Sequence, residues 1–215
     1  MRILAFDTCL AACSLALTVD GEVIGQQIEP MDRGHQERLA PLVAGLMTET
    51  GQAFSNLDRI AVTIGPGSFT GLRVGLAFAK GLGAALRIPV IGVGTLEALA
   101  YLVDGPTVAV MDARRGQVYL QAFQARVALS APDALGLEAA VIRVAEVAHL
   151  GRPTLIGSGA DLLAAELGSA VAVSKQRLEP AAIAALAAGR TPSPPRPLYL
   201  RAPDAKLPGG KSLPA

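Results

Sequence analysis

The sequence predicts an α/β fold of two successive units, and three observations carry that expectation. Short apolar runs of strand type alternate with segments of helical period, three strand-like runs coming first. The stretch Ile64-Gly65-Pro66-Gly67-Ser68-Phe69-Thr70-Gly71-Leu72-Arg73 joins a strand end to a helix through a tight turn. Pro66 fixes one φ there, and Gly65 and Gly67 supply angles closed to other residues. Asp104-Gly105-Pro106 then breaks the chain, and a second series of strand-like runs begins.

In chain order, Arg2 to Asp7, Ala12 to Thr18 and Glu22 to Ile28 read as strands, the last two joined across Asp20-Gly21, a hairpin turn signal. Gly34 to Thr50 carries Leu39, Leu42, Val43 and Leu46 at the i, i+3, i+4 and i+7 positions of an amphipathic helix, with Pro41 as a candidate kink in its second turn. Ile60 to Ile64 is the next strand. The helix after the glycine turn, a strand over Pro89 to Val93 and a short helix over Thr95 to Leu102 follow, so the first unit reads βββαβαβα. Thr107 to Asp112 and Gln117 to Phe123 open the second unit as strands around Arg115-Gly116. Glu146 to Leu150, Ala160 to Leu167 and Pro180 to Ala188 read as helices, with strands over Thr154 to Gly157 and Ala170 to Val173 between them. From Arg190 onward come seven of the fifteen prolines, which predicts an extended tail with Pro197 to Arg201 docked and Lys206 to Ala215 loose. The units are placed at residues 1–104 and 105–190, and the tail at 191–215.

The glycine turn has two readings. Feeding a helix N-terminus, which Ser68 or Thr70 is placed to cap, it has the form of an anion cradle; a tight turn required for packing is the favoured alternative. The Walker A spacing is absent, and G-x-G-x-x-G misses because Thr70 holds its last position. Beyond the turn, Gly71 to Leu86 contains only Arg73 and Lys80 as charges. Gly71, Gly75, Ala79 and Gly83 recur every four residues as a smooth track, while Leu72, Leu76, Phe78 and Leu82 supply bulk elsewhere. Glycine costs a helix on the order of 1 kcal/mol relative to Ala, so packing must offset it. Such a helix is either central in its own unit or covered by another chain.

Composition narrows the function classes. The 215 residues are 51% hydrophobic and contain no Trp, enough apolar material for a sizeable core. A net charge of +1 supplies no broad basic field for nucleic acid, so RNA contact needs a local patch or a partner. The chain enters a strand at Arg2 without a leader-like apolar region, and it has no apolar span of membrane length, which predicts a cytoplasmic protein without membrane contact. Cys9 and Cys13 form neither a disulfide framework nor a zinc site and are expected as reduced, structural thiols.

Five segments together resemble the TsaB (YeaZ) family. They are Ile3-Leu4-Ala5-Phe6-Asp7-Thr8, His35-Gln36-Glu37-Arg38-Leu39-Ala40-Pro41, Gly65 to Arg73, Met111-Asp112-Ala113-Arg114-Arg115-Gly116-Gln117-Val118-Tyr119, and Pro197-Leu198-Tyr199-Leu200-Arg201. The resemblance runs from end to end and implies an actin-like, sugar-kinase-like (ASKHA) fold of two related α/β domains, the second reduced. It also implies a noncatalytic scaffold. Such a subunit dimerises or pairs with its paralogue TsaD, alongside the ATPase TsaE, for threonylcarbamoyl transfer to N6 of adenosine 37 in tRNAs reading codons that begin with A; tRNA is reached only through the complex. The family often has Glu where Gln117 stands, so that position carries no charge-dependent role.

The residues themselves speak against catalysis. His35 and His149 sit in different units without a second His one turn away, so a metal-dependent (M22-type) peptidase lacks its ligands and no metal or cofactor is expected. Asp7, with Thr8, Gly67 and Ser68, is the candidate vestigial phosphate site of an actin-like ATPase; holding the adjoining turn by hydrogen bonds is the alternative. Asp112-Ala113-Arg114 places a side chain where a phosphate would approach backbone, so a second clamp is not expected. The expected mechanism is therefore binding, through Leu39, Leu42, Val43 and Leu46 of one helix and the small track and flanking bulk of the next. An ATPase or peptidase acting alone is the competing reading.

Overall fold

The computed structural model describes residues 1–174 and 178–201; the expected looseness of Lys206 to Ala215 falls outside them. β1 (Arg2–Asp7), β2 (Ala12–Val19) and β3 (Glu22–Pro30) form an antiparallel meander. Its second turn holds Asp20 at φ 51° and Gly21 at φ 89°, the left-handed pair that an Asp-Gly hairpin favours. β4 (Arg59–Thr63) and β5 (Val90–Val93) add in parallel beside β1, giving the order β3-β2-β1-β4-β5. β1 is buried on both faces because its alternate side chains serve two cores: Leu4 and Phe6 point to one, Ile3 and Ala5 to the other.

α1 (His35–Glu49) and α2 (Phe69–Leu86) cover the Leu4 and Phe6 face. α1 runs through Pro41 without interruption. Leu39, Val43 and Leu46 meet Leu15, Leu17 and Leu72 beneath the two helices. Burying a side chain of this kind stabilises by about 1.5–3 kcal/mol, which outweighs the modest helix propensity of the segment.

The second unit repeats the plan. β6 (Pro106–Arg114) and β7 (Gln117–Gln124) are antiparallel, β8 (Val127–Ala128) and β9 (Asp133–Gly136) both pair with β7, and α4 (Leu137–Val147) follows. β10 (Thr154–Ile156), α5 (Ala160–Leu167) and β11 (Ala172–Ser174) complete a sheet of order β11-β10-β6-β7-β8, with β10 parallel to β6. The sequence reading missed β8, β9 and most of α4, whose Ala140, Val144 and Val147 are buried one turn apart. Only its trailing end, Glu146 to Leu150, had been expected as helix, and residues 148–150 form a single 3-10 turn.

The last helix of each unit lies on the other unit's sheet. α3 (Thr95–Ala100) packs on β6 and β7, while α6 (Pro180–Ala188) packs on β1 and β2. Leu96, Leu99, Ile183 and Ala184 thus share one core with Ile3, Met111 and Phe123. The boundary at residue 104 therefore separates sheets but not cores, and α6 belongs by packing to the first sheet. The tail is docked as far as Arg201. Arg59 donates to the carbonyls of Ala187 and Arg190, Arg190 donates to the Gly92 carbonyl and pairs with Glu97, and the Leu198 N–H reaches the Ile64 oxygen at 2.7 Å.

Candidate functional site

The loops at the ends of β1, β4 and β6 meet at a cleft of about 1850 Å³ between the two sheets. Asp7, at the end of β1, is fully buried and does not open into it. Its carboxylate accepts the Thr63 hydroxyl at 2.5 Å, the Cys9 N–H at 3.0 Å and the Leu10 N–H at 3.2 Å. Burial nevertheless pushes the carboxyl above its ordinary range, against the pull of those hydrogen bonds. Thr8 is buried too, donating its hydroxyl to the Gly71 carbonyl at 2.7 Å. Gly67 and Ser68 do line the cleft, but the Ser68 N–H is spent on the Cys9 carbonyl and its Oγ caps α2 by accepting the Gly71 N–H. Of the four residues expected as a relic phosphate site, Asp7, Thr8 and Ser68 are thus hydrogen-bonded to neighbouring loop and helix residues, with Asp7 and Thr8 withdrawn from the cleft.

On the far wall, the Asp112 N–H donates to Ser158 Oγ, and Asp112 Oδ1 accepts the Arg114 N–H. His35, the first residue of α1, is buried and its Nε2 has no partner among the described residues; His149 is exposed, its Nδ1 2.8 Å from the Glu146 carbonyl. Among the described residues no three His, Cys, Asp or Glu side chains gather as a metal site. Both cysteines are free and buried. Burial, then the Asp7 charge, pushes the Cys13 thiol up to about 12 and the Cys9 thiol higher still, so neither is a ready nucleophile.

The helix face requires a correction. Leu39, Val43, Leu46, Leu72, Leu76 and Ala79 are core residues, and Gly71, Gly75 and Gly83 are buried with them, so these nine are not surface. The small track faces inward. A Cβ at Gly71 would lie 1.8 Å from the Thr8 carbonyl oxygen, one at Gly75 2.4 Å from Thr8 Oγ1, and one at Gly83 2.4 Å from Val90 Cγ2. The glycines seat α2 on its own sheet. Leu42, Phe78 and Leu82 are half-buried, Phe78 meeting Phe6 edge to face at 5.7 Å.

What faces outward is a different set that the sequence reading passed over. α2 presents Ala77, Gly81 and Ala85, with Arg73 and Lys80 along one edge and Val74 half-buried beside them; neighbouring α1 presents Ala40, Pro41 and Ala44, with half-buried Gly45 alongside. A Cβ at Gly45 or Gly81 would meet nothing within 4 Å. The clue was available in the helical phase: once Leu72 and Leu76 are set inward, Ala77 and Gly81 fall on the opposite side.

A family model described as TsaD, tRNA N6-adenosine threonylcarbamoyltransferase, matches residues 22–192. YeaZ from Pseudomonas aeruginosa is 31% identical, with a TM-score of 0.76, over 87% of this chain and 90% of that one. The chain belongs to the TsaB (YeaZ) family. The Escherichia coli protein called tRNA threonylcarbamoyladenosine biosynthesis protein TsaB is 41% identical over 129 residues, which are 58% of this chain and 55% of that protein. The chain thus spans little more than half the length of that curated TsaB relative. At the level of fold alone, the ethanolamine utilization protein EutJ from Carboxydothermus hydrogenoformans superposes with a TM-score of 0.52 at 14% identity, over 86% of this chain and 89% of that one. The two related α/β units are therefore those of the actin-like, sugar-kinase-like class. No helix among the described residues is long and apolar enough to cross a membrane.

Proposed function

We propose that this TsaB-family chain is a noncatalytic, cytoplasmic subunit of the machinery that makes threonylcarbamoyladenosine at position 37 of tRNA. It pairs through the outer face of α1 and α2 with a second copy of itself or with TsaD, which performs the transfer in company with TsaE. The observation that carries the reading is the uncharged outer stripe with two glycines, Gly45 and Gly81, that nothing inside the chain requires. Helical glycine costs about 1 kcal/mol relative to Ala, and at exposed Gly81 and half-buried Gly45 close approach by a second helix pair explains that cost. Both partners would use the same stripe, so the homodimer must part before TsaD docks. The noncatalytic reading is supported by the Asp7 carboxylate, which is spent on Thr63, Cys9 and Leu10.

The test is reconstitution with TsaD, TsaE, tRNA, ATP and threonylcarbamoyl-adenylate, with and without this chain. Transfer should fall sharply on omission. Undiminished transfer would end the reading. Turnover of Mg-ATP by the chain alone, abolished by Asp7→Ala, would replace it with an ATPase.

A further inference from the structure

We infer that the mouth of the cleft binds an unpaired stretch of RNA directly, its phosphates held by arginines and a base stacked on Phe69 and Tyr199. The choice of RNA rests on the tRNA reading above; the surface itself rests on three observations. First, Arg33, Arg73, Arg114 and Arg201 line the cleft, with exposed Arg115 beside them, although they come from four separate parts of the chain. Asp32, Asp112 and Asp161 line it as well, so four lining guanidinium groups stand against three carboxylates. Among the described residues Arg33, Arg73 and Arg114 make no ion pair, whereas Arg38, Arg126, Arg143 and Arg190 are each paired with a carboxylate.

Second, Arg114 and Arg115 sit at the tip of the β6–β7 hairpin with φ of 62° and 55°, ahead of Gly116 at 71°. Successive arginines in the left-handed region, where Gly or Asn is at home, are a local backbone cost, and the exposed Arg114 side chain makes no ion pair among the described residues to offset it. Third, Phe69 and Tyr199 stand at the same mouth 43% and 45% exposed, ring centroids 5.4 Å apart, with the Arg73 guanidinium 3.9 Å from the Phe69 ring centre and its Nε donating to the Tyr199 hydroxyl. Exposed rings beside guanidinium groups form a stacking platform that accepts any base.

A deep mononucleotide site is the weaker fit. The Ser68 N–H at the α2 start, the donor best placed to hold its phosphates, is used within the chain on the Cys9 carbonyl. A Cβ at Gly157 would lie 2.3 Å from the Val110 carbonyl, so that turn is closed down onto β6. The charges that remain are at the rim, where an extended strand passes.

The experiment measures binding of a labelled, unmodified tRNA transcript to the full chain across a KCl series, with AMP and ADP as competitors. Arg114→Gly removes one cation and relaxes the hairpin, so its melting temperature should rise while affinity drops several-fold and the log K against log salt slope falls by about 0.7. Phe69→Ala should weaken binding several-fold with the slope unchanged. Equal affinity and slope in wild type and the Arg114→Gly variant would overturn the inference, as would displacement of the tRNA by ADP at its own binding concentration. Ala77→Glu, on the outer stripe, should bind RNA as wild type does. If that variant also still pairs with TsaD, the pairing reading fails while the RNA result stands; if it loses TsaD and Arg114→Gly changes nothing, only the RNA inference fails.

Discussion

The inner and outer faces of α2 carry the same kind of residue for opposite reasons. Inside, Gly71, Gly75 and Gly83 have no room for a Cβ, because Thr8 and Val90 occupy the space. Outside, Gly81 has nothing within 4 Å. A helical glycine is therefore not in itself a sign of an interface; only its surroundings tell whether the chain or a partner demands it. The largest effect expected from this difference is on the inside. Gly71→Ala drives a methyl into the Thr8 carbonyl and should cost about 3 kcal/mol or more, read as a fall in the urea midpoint. Gly75→Leu should prevent folding rather than pairing. A Gly71→Ala protein as stable as wild type would mean that α2 is not seated as described.

The loop under that inner face depends on Asp7. Asp7→Ala leaves the Thr63 hydroxyl and the Cys9 and Leu10 N–H groups without their acceptor, a loss of about 2–3 kcal/mol. The gap should also vary with pH. Burial lifts the Asp7 carboxyl above its ordinary 3.8, so between that value and the raised one the native protein holds a proton that the unfolded chain has released. Wild-type stability then falls as pH rises through the window, while the Ala variant has no such group, and the gap narrows. Urea titrations of both proteins from pH 4 upward check this; a gap that widens with pH would show a carboxylate stabilised as the anion.

Much of this was legible in the sequence, for identifiable reasons. β1, β2 and β3 announced themselves by apolar runs and by Asp20-Gly21, and α1 by Leu39, Val43 and Leu46. The glycine turn was read correctly as a strand-to-helix joint, and of the two caps open to it, Ser68 and Thr70, the structure uses Ser68. The phase of α2 was not, because a helix apolar nearly all round gives period but no polar side to orient it. The exchange of α3 and α6 between sheets was equally hidden: both are short and almost wholly buried, so their composition names no partner. The cleft escaped because Arg33, Arg73, Arg114 and Arg201 are scattered along the chain and meet only through the fold.

On the outer face the expected effect moves from folding to association. Ala77→Glu places a carboxylate in the middle of the stripe, exposed in the single chain and buried in either pair. It should leave chain stability within about 0.5 kcal/mol and weaken pairing by about 2 kcal/mol, some thirtyfold. Sedimentation of the purified variant and its retention by immobilised TsaD report the two pairings separately. If only one is lost, the partners do not share the stripe.

Gly81→Ala carries the smallest effect and divides the two faces most cleanly. The added methyl meets nothing within the chain, and Ala is the better helix former by up to about 1 kcal/mol, so thermal stability of the dilute chain should rise. The same methyl would stand between two helices wherever a partner approaches closely over Gly81, and association should weaken although the fold is firmer. Stability and pairing would then move in opposite directions from one methyl group. If both rise together, Gly81 is merely an unoptimised surface position, and the contact, where it exists, is centred elsewhere on the stripe.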